Sequence, residues 1–308
     1  MLKKVSVSLL MVLLVLAGCA PRTTVKQKQA ITVKETERVE TKYTGPKRRV
    51  AIVDFENKTA YGARRLGTAA TDILISELGK TGKFILVERD KMEKLLEEQK
   101  LGMTGIIDPT TAARMGRILG VNAIVTGSIS QFGVKTGGSE YVIVQSKRQE
   151  AEATVDIRVV DVETGQILFT DSGKGVARTG TGSVLGLGTR KGYDETLEGE
   201  ALRAAIVKFV DNITNQINAL PWSCRVATVE AGKIYLDAGL KSGLEKGTKL
   251  KVFHLGKEIK SPTTGLVIGR TEEEIGEAEV ASRFGDDGSI AKLKKGRMPS
   301  AGDLCRLK

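Results

Sequence analysis

The chain has 308 residues, a length that accommodates two ordinary globular domains. It contains 48 lysine and arginine residues against 37 aspartate and glutamate residues, which gives a net charge of +11. The single histidine leaves little room for histidine-based catalysis. The basic excess raises the question of a nucleic-acid or lipid partner, and the start of the chain bears on that question.

The first residues have the order of a signal peptide. Two lysines at positions 3 and 4 precede an apolar run over residues 5–16, which is interrupted only by two serines. About 12 apolar residues are too few for a transmembrane helix but suit a signal peptide. Residues 16–19, Leu-Ala-Gly-Cys, resemble the lipobox of bacterial lipoprotein precursors. The resemblance implies a signal peptide over residues 1–18 and lipidation of Cys19; an ordinary secretory signal with a chance cysteine is the alternative.

The segment after Cys19 predicts a tether at a membrane. Residues 19–48 are polar and lack a helical or strand period, so we interpret them as a lipidated tether. Residues 22–49 carry nine basic and three acidic side chains, a net charge of +6 that would reinforce a lipid anchor on an anionic surface; a solvated linker is the alternative. Lipoprotein sorting implies the outer membrane, because Ala20 stands where aspartate would signal inner-membrane retention. For an exported chain we expect no nucleic-acid partner.

From residue 49 the sequence predicts an α/β domain that extends to residue 219. Short apolar runs alternate with segments in which apolar residues recur at i, i+3 and i+4. The predicted strands cover residues 50–55, 84–87, 123–129, 155–162 and 166–169. The predicted helices cover residues 67–78, 90–99, 108–119 and 197–217. The Leu220-Pro221 pair ends the last helix and marks a domain boundary.

Residues 220–308 have a different pattern. Short apolar runs alternate with turns that contain glycine, and no segment has a convincing helical period. This pattern is typical of a small all-β domain, either a barrel or a sandwich. We expect the chain to combine an α/β (α+β) domain with a small all-β domain.

Three segments resemble the CsgG/HfaB family of outer-membrane lipoproteins, whose founding member is the curli secretion channel. They are residues 84–96 (FILVERDKMEKLL), 121–129 (VNAIVTGSI) and 159–168 (VVDVETGQIL). The resemblance covers residues 49–217. It implies a CsgG-like periplasmic domain on the periplasmic face of the outer membrane. It also implies a homo-oligomeric ring, a non-enzymatic role in secretion, and secreted fibre subunits or periplasmic assembly factors as partners.

The C-terminal region resembles the C-terminal domain of flagellar assembly protein T. The resemblance rests on residues 232–235 (Gly-Lys-Ile-Tyr) and on glycines at turns, among them Gly239, Gly243 and Gly247. Glycine-rich turns of this kind recur in unrelated β-domains.

In the family's channel member, each protomer adds two β-hairpins to a shared pore. A loop that follows the first strand of each protomer narrows this pore. The resemblance places these hairpins at residues 131–153 and 171–197 and the loop at residues 56–61, with Tyr61 as the candidate pore-loop residue. Both faces of the first hairpin carry charge, and the uncharged face of the second is only weakly apolar. We therefore keep an alternative: a non-pore periplasmic scaffold or regulator for cell-wall synthesis or flagellar basal-body assembly.

No catalytic constellation, cofactor motif or metal site is predicted. His254 has no partner at a useful spacing, and the acidic run over residues 272–274 lacks the spacing of a calcium loop. Cys224 and Cys305 lie near the two ends of the β-domain and would share an oxidising compartment. We predict a disulfide between them because the terminal strands of small closed β-domains commonly pair. Two buried free cysteines are the alternative.

Overall fold

A computed structural model describes residues 45–87, 109–140, 144–184, 196–263, 265 and 267–308. Among these residues, the N-terminal part contains three helices and six strands: β1 (Arg48–Ile52), β2 (Glu56–Asn57), α1 (Ala63–Lys80), β3 (Phe84–Leu86), α2 (Pro109–Leu119), β4 (Ala123–Glu140), β5 (Val144–Asp161), β6 (Ile167–Val184) and α3 (Thr196–Ala219). Six strands follow: β7 (Ser223–Glu230), β8 (Lys233–Leu236), β9 (Lys249–Lys260), β10 (Val267–Phe284), β11 (Gly288–Gly296) and β12 (Leu304–Leu307). The expected combination of an α/β domain with an all-β domain is confirmed.

The first sheet has the strand order β3-β1-β4-β5-β6, and β2 pairs with β4 beside β1. β1 runs parallel to both β3 and β4, whereas β4, β5 and β6 are antiparallel. Helices α1 and α3 cover one face of the sheet, and their apolar side chains share one core with the strands. Helix α2 covers part of the opposite face through a smaller core that includes Met115 and Ile124. The sheet is thus sandwiched between helices at its base.

Beyond this base, β4, β5 and β6 continue as a three-stranded antiparallel extension. Each strand is 18 residues long, about 60 Å at 3.3–3.4 Å per residue. The sequence predicts only the first half of β4 and the second half of β5, because the distal half of β4 is polar and rich in glycine and that of β5 is polar and charged. The predicted helix over residues 90–99 lies outside the described residues.

Helix α3 packs unusually close to β6, and glycine makes this approach feasible. A Cβ atom on Gly173 would lie 2.1 Å from the carbonyl oxygen of Ala205, and one on Gly175 would lie 2.0 Å from that of Ala201. Both distances are far shorter than van der Waals contact. Two glycines on the strand, facing alanines on the helix, therefore fix the separation between α3 and the extension.

The C-terminal part is a closed barrel with the strand order β10-β11-β8-β7-β12-β9, and β9 pairs with β10 to complete the circle. Its core is lined mainly by aliphatic side chains, with Trp222 and the two cysteines at one end. Of the two architectures that the sequence predicts, the structure shows the barrel.

Polar contacts join the barrel to the sheet. Arg49 of β1 donates to the Asp287 carboxylate at 3.0 Å and approaches Asp237 at 3.7 Å. Burial raises the pKa of Asp237, even though Arg49 and the Arg225 N–H stabilise its charged form. Arg225 also forms an ion pair with Glu163, from the turn between β5 and β6. The two parts therefore share a partly buried, charged junction.

Among the helices that the structure describes, none is both long enough and apolar enough to span a membrane.

Candidate functional site

The loop that the resemblance assigns to the pore lies between β2 and α1 and is organised by Asn57. The Asn57 side-chain amide donates to the carbonyl oxygens of Tyr61 at 2.5 Å and Ala63 at 2.7 Å. Its side-chain oxygen accepts from the backbone N–H of Thr59 at 3.0 Å and from the Thr59 hydroxyl at 2.7 Å. The Asn57 side chain thus stabilises the loop through four hydrogen bonds, and these bonds fix the position of Tyr61.

Tyr61 is half-buried and makes contact with both the sheet and α3. Its hydroxyl donates to Glu198 Oε1 at 2.8 Å, and its ring packs on Phe132 of β4 with 4.8 Å between ring centroids and a 32° tilt. Aromatic pairs at this separation stabilise beyond the area that they bury. The side chain is therefore held at the root of the extension.

Glu198 is the charged centre of this site. It is 3% exposed and stands in the first turn of α3, where the helix dipole favours a carboxylate. Arg65 of α1 donates to both of its oxygens, at 2.8 and 3.1 Å. The four side chains Tyr61, Arg65, Phe132 and Glu198, which we call the Tyr61 cluster, tie together α1, β4 and α3.

Sequence reasoning identified Tyr61 but missed the other three members of the cluster. The position of Glu198 at the start of a predicted helix is a signal that could have marked it as a capping acid. No sequence signal indicates its bond to a tyrosine 137 positions earlier. Its members contact one another through hydrogen bonds, an ion pair and a ring contact, so the cluster is a structural and electrostatic link between these elements.

The extension has one apolar and one charged face. Ala151, Ala153 and Val155 of β5 are fully buried and belong to the core that α3 completes. On the opposite face, Arg178 donates to Glu150 at 2.7 Å, and Lys174 pairs with Glu152 at 2.5 Å. The hydrogen bond from Arg178 lowers the pKa of Glu150. Two of the charges that the sequence places in residues 131–153, those of Glu150 and Glu152, therefore lie on the open face in ion pairs.

Two edges of the extension have no strand beside them in the part of the chain that the structure describes. Strand β6 pairs with β5 alone along its whole length. Strand β4 pairs with β1 and β2 only as far as Ile129, and beyond that residue it pairs with β5 alone. Unpaired edges of this length are templates for pairing with another chain.

The acidic run over residues 272–274 is neutralised within the barrel. Glu272 forms an ion pair with Arg306, Glu273 with Arg297, and Glu274 with Lys251. Within the described ranges, no group of three or more His, Cys, Asp or Glu side chains could hold a metal ion. The run forms a ladder of ion pairs on the barrel surface.

His254, for which spacing indicated no partner, has one in the structure. Its Nδ1 atom lies 2.8 Å from Asp303 Oδ1, and the Asp303 side chain is 5% exposed. The second oxygen of Asp303 accepts the backbone N–H of Ser300 at 2.8 Å. These bonds link β9 to the turn before β12. The His254–Asp303 pair therefore stabilises the barrel and is distant in sequence from the Tyr61 cluster.

Cys224 and Cys305 face each other directly on the antiparallel strands β7 and β12. Both are buried and both are free thiols in the structure. A hydrogen bond to Cys305, followed by burial, raises the pKa of the Cys224 thiol well above its ordinary value. Opposed residues have Cβ atoms about 4.5–5.5 Å apart, against about 3.5–4.5 Å in a disulfide. A bridge therefore needs only a small approach of the strands, and it stays a prediction. Cys19 lies outside the described residues.

Comparison with known proteins relates the chain to a protein family. The profile of "Curli production assembly/transport component CsgG" matches residues 31–241. A Neisseria meningitidis serogroup B protein that carries the name lipoprotein NMB1126/NMB1164 is 26% identical over 217 residues, which cover 67% of this chain and 91% of that protein. CsgG of Escherichia coli K12 is 26% identical over 216 residues, which cover 64% of this chain and 72% of CsgG.

Solved structures give weaker likenesses. The LpoB C-terminal domain from Escherichia coli has a TM-score of 0.31 at 18% identity and matches 42% of this chain and 82% of its own. Lipoprotein GNA1162 from Neisseria meningitidis has a TM-score of 0.32 at 16% identity and matches 56% of this chain and 99% of its own. The family profile covers the whole α/β domain and ends in the first strands of the barrel. The chain therefore belongs to the CsgG family.

Proposed function

We propose that the chain is a non-enzymatic lipoprotein of the CsgG type, anchored to the periplasmic face of the outer membrane, which acts as an oligomer in the assembly or secretion of curli-like or other surface fibres. Family membership supports the type of role, and the lipobox at Cys19 supports the anchor. The observation that carries the proposal is the three-stranded extension, because its two open edges offer a lateral surface on each side of one protomer.

The two edges support a ring of protomers. The open edge of β6 in one copy and that of β4 in the next would supply complementary main-chain donors and acceptors. Since the two edges lie on opposite sides of the same extension, such contacts are head-to-tail, and head-to-tail contacts generate rings when the rotation closes. The assembly would thus place every extension side by side.

The Tyr61 cluster has a defined role in this proposal. It fixes the β2–α1 loop against the root of the extension, so the loop keeps one position in each protomer of the ring. If the oligomer forms a pore, Tyr61 lines its constriction, and the hydrogen bond from the Tyr61 hydroxyl to Glu198 holds the tyrosine in place. A Tyr61→Phe change keeps the ring on Phe132 but removes this bond, and we expect it to loosen the loop without unfolding the domain.

The experiment compares Tyr61→Phe with a matched variant, Tyr235→Phe, in purified oligomers reconstituted into planar bilayers. Tyr235 also packs on a phenylalanine, with 5.0 Å between ring centroids, but lies in the barrel. We expect ring-sized particles by light scattering for all proteins. We expect altered ion conductance for Tyr61→Phe and unchanged conductance for Tyr235→Phe. Monomers at every concentration in detergent would contradict the oligomer.

The ion-paired open face favours a second function, that of a non-pore periplasmic scaffold for cell-wall synthesis or flagellar basal-body assembly. An arginine or lysine facing lipid at mid-depth costs about 2–4 kcal/mol, and here two ion pairs lie on one face while α3 covers the other. An oligomer of the expected size that conducts no ions in planar bilayers would favour the scaffold function over the pore.

A further inference from the structure

The barrel has a short open strand edge of its own. Strand β10 leaves its neighbour β9 near Val280, whose N–H donates to the Thr248 carbonyl at 3.0 Å and whose carbonyl accepts from the Gly247 N–H at 2.8 Å. Residues 281–284 continue the strand. Residues 282–284 pair with β11 alone among the described strands, and Ala281 is the extra residue of a β-bulge. The main chain of these four residues is thus unpaired on one side.

A groove of about 580 Å³ separates this edge from the loop over residues 240–246. Its apolar lining includes Val280 on the strand side and Leu244 on the loop side, each 2% exposed, while Leu240 stands at the rim with 44% exposure. Sites for small ligands typically enclose about 300–1,000 Å³ and combine an apolar lining with a few polar groups. The groove has the size and lining of a binding site.

The loop wall is held in place by its own hydrogen bonds. The Gly243 N–H donates to the Leu240 carbonyl at 2.9 Å, and the Leu244 N–H donates to the carbonyl of Gly239 at 2.8 Å. The Asp287 carboxylate accepts from the backbone N–H of Ser242 at 2.9 Å and from its hydroxyl at 2.6 Å. Because these bonds already order the loop, a ligand that binds in the groove does not have to order it. The entropic cost of binding is therefore lower.

The rim of the groove is basic. Lys246 and Arg283 line it together with one acidic residue, Glu245, and Lys241 is exposed on the same loop. Elsewhere on the barrel surface, six basic side chains form ion pairs: Lys251, Arg270, Lys294, Arg297, Arg306 and Lys308. Among the described residues, the three basic side chains at the groove form no such ion pair. The same holds for Lys233, Lys249, Lys257, Lys260, Lys292 and Lys295 elsewhere on the barrel, but the three at the groove lie beside an apolar lining and an open strand edge. Their charge is available to a ligand.

We infer that the groove binds an acidic peptide in extended conformation, by addition of a strand to the edge of residues 281–284. The unpaired main chain supplies hydrogen bonds, as in other cases of β-augmentation. An apolar side chain of the peptide would lie between Leu240 and Leu244, and its flanking carboxylates would face Lys246 and Arg283. A flat lipid surface fits less well, because Leu244 lies at the bottom of a concave site. This inference concerns the barrel and is independent of the proposed function.

The test uses the full chain from residue 19 with Cys19→Ser, so that no lipid is present. Fluorescence anisotropy measures binding of a labelled peptide of about seven residues that alternates valine with glutamate. A second peptide carries lysine in place of glutamate, and a third has N-methylated valines, which remove main-chain donors. We expect the glutamate peptide to bind, and both other peptides to bind at least tenfold more weakly.

Protein variants locate the site. Leu240→Ser removes the rim leucine, and its control is Ile259→Ser, which removes an isoleucine of equal exposure (43%) from the β9–β10 hairpin. We expect about a tenfold loss for Leu240→Ser, a similar loss for the double variant Lys246→Glu and Arg283→Glu, and no change for Ile259→Ser.

Four results would overturn the inference. Equal binding of the glutamate and lysine peptides would show that the basic rim does not select an acidic ligand. Equal binding by Leu240→Ser and Ile259→Ser would place the site elsewhere. No binding of any peptide would show that the edge of residues 281–284 does not accept a strand. Leu240-dependent recruitment of the lipid-free chain to anionic vesicles would show that the groove and its cations contact a membrane instead.

Discussion

The contact between α3 and β6 makes a sharp prediction for Gly175→Ala. The added Cβ atom would lie 2.0 Å from the Ala201 carbonyl oxygen and 2.4 Å from the backbone nitrogen of Ala205, where atoms of this kind do not come closer than 3.0 Å. Because both obstacles are backbone, no side-chain rotation relieves the clash. The helix and the strand must separate by about 1 Å, which forfeits a quarter to a half of the attraction between the facing atoms.

Overpacking of a well-packed core typically costs about 1–3 kcal/mol, and a clash with backbone belongs at the upper end of that range. For a domain of this size, a loss of about 3 kcal/mol lowers the melting temperature by roughly 6–12 °C. The matched control is Gly133→Ala on β4, in the same extension, where an added Cβ atom meets nothing within 4 Å. We expect the control to remain within about 0.5 kcal/mol of the parent.

Thermal and urea unfolding followed by far-ultraviolet circular dichroism measure the difference, since the three described helices all lie in the α/β domain. Equal melting temperatures and equal urea midpoints for Gly175→Ala and Gly133→Ala would contradict this prediction. That result would mean that α3 does not hold this position on the extension in solution, and the apolar face of the extension would then be free for another contact.

Three further predictions concern the anchor, the cysteines and the domain junction. Cys19→Ser should block lipidation and move the protein to the aqueous phase in detergent phase separation, whereas partition with the detergent would defeat the lipobox assignment. Thiol counting under denaturing, non-reducing conditions should find no free thiol from Cys224 and Cys305 in protein from the periplasm, and closing the loop of about 80 residues should add roughly 4–5 kcal/mol at most; two free thiols per chain would exclude the bridge. Asp287→Ala should cost about 1–3 kcal/mol at neutral pH. Burial raises the pKa of Asp287, but hydrogen bonds from Ser242 outweigh it, so the pKa is lowered. The contribution of Asp287 to the free energy of unfolding is therefore complete above the ordinary pKa near 4 and is lost as the pH falls below it. A parent–variant difference in the free energy of unfolding that persisted at low pH would contradict this assignment.

Local pattern was informative where one face of an element is buried. The apolar residues of α1 recur with helical spacing at Leu66, Ala70, Leu74 and Leu78, and all four are buried. The short turns of the C-terminal region likewise predicted an all-β domain. In both cases the signal is contained within a few neighbouring residues, so the sequence alone suffices.

Strand length was not readable in the same way. The distal part of β6 alternates small and polar residues with glycine, a composition that also suits a loop. Strand β6 forms because Gly173 and Gly175 allow α3 to approach its first half and because β5 supplies a continuous partner as far as its distal end. Both conditions come from residues distant in the chain.

Local sequence patterns predict the order of the parts: an export signal, a basic tether, an α/β domain and an all-β domain. They also indicate Tyr61 and the cysteine pair as residues of interest. The bond from Tyr61 to Glu198 and the facing positions of Cys224 and Cys305 are visible only in the folded chain. The physical reason is that periodicity reports which side of an element avoids water, whereas the identity of the partner across a sheet or a helix depends on register and packing that no local pattern encodes.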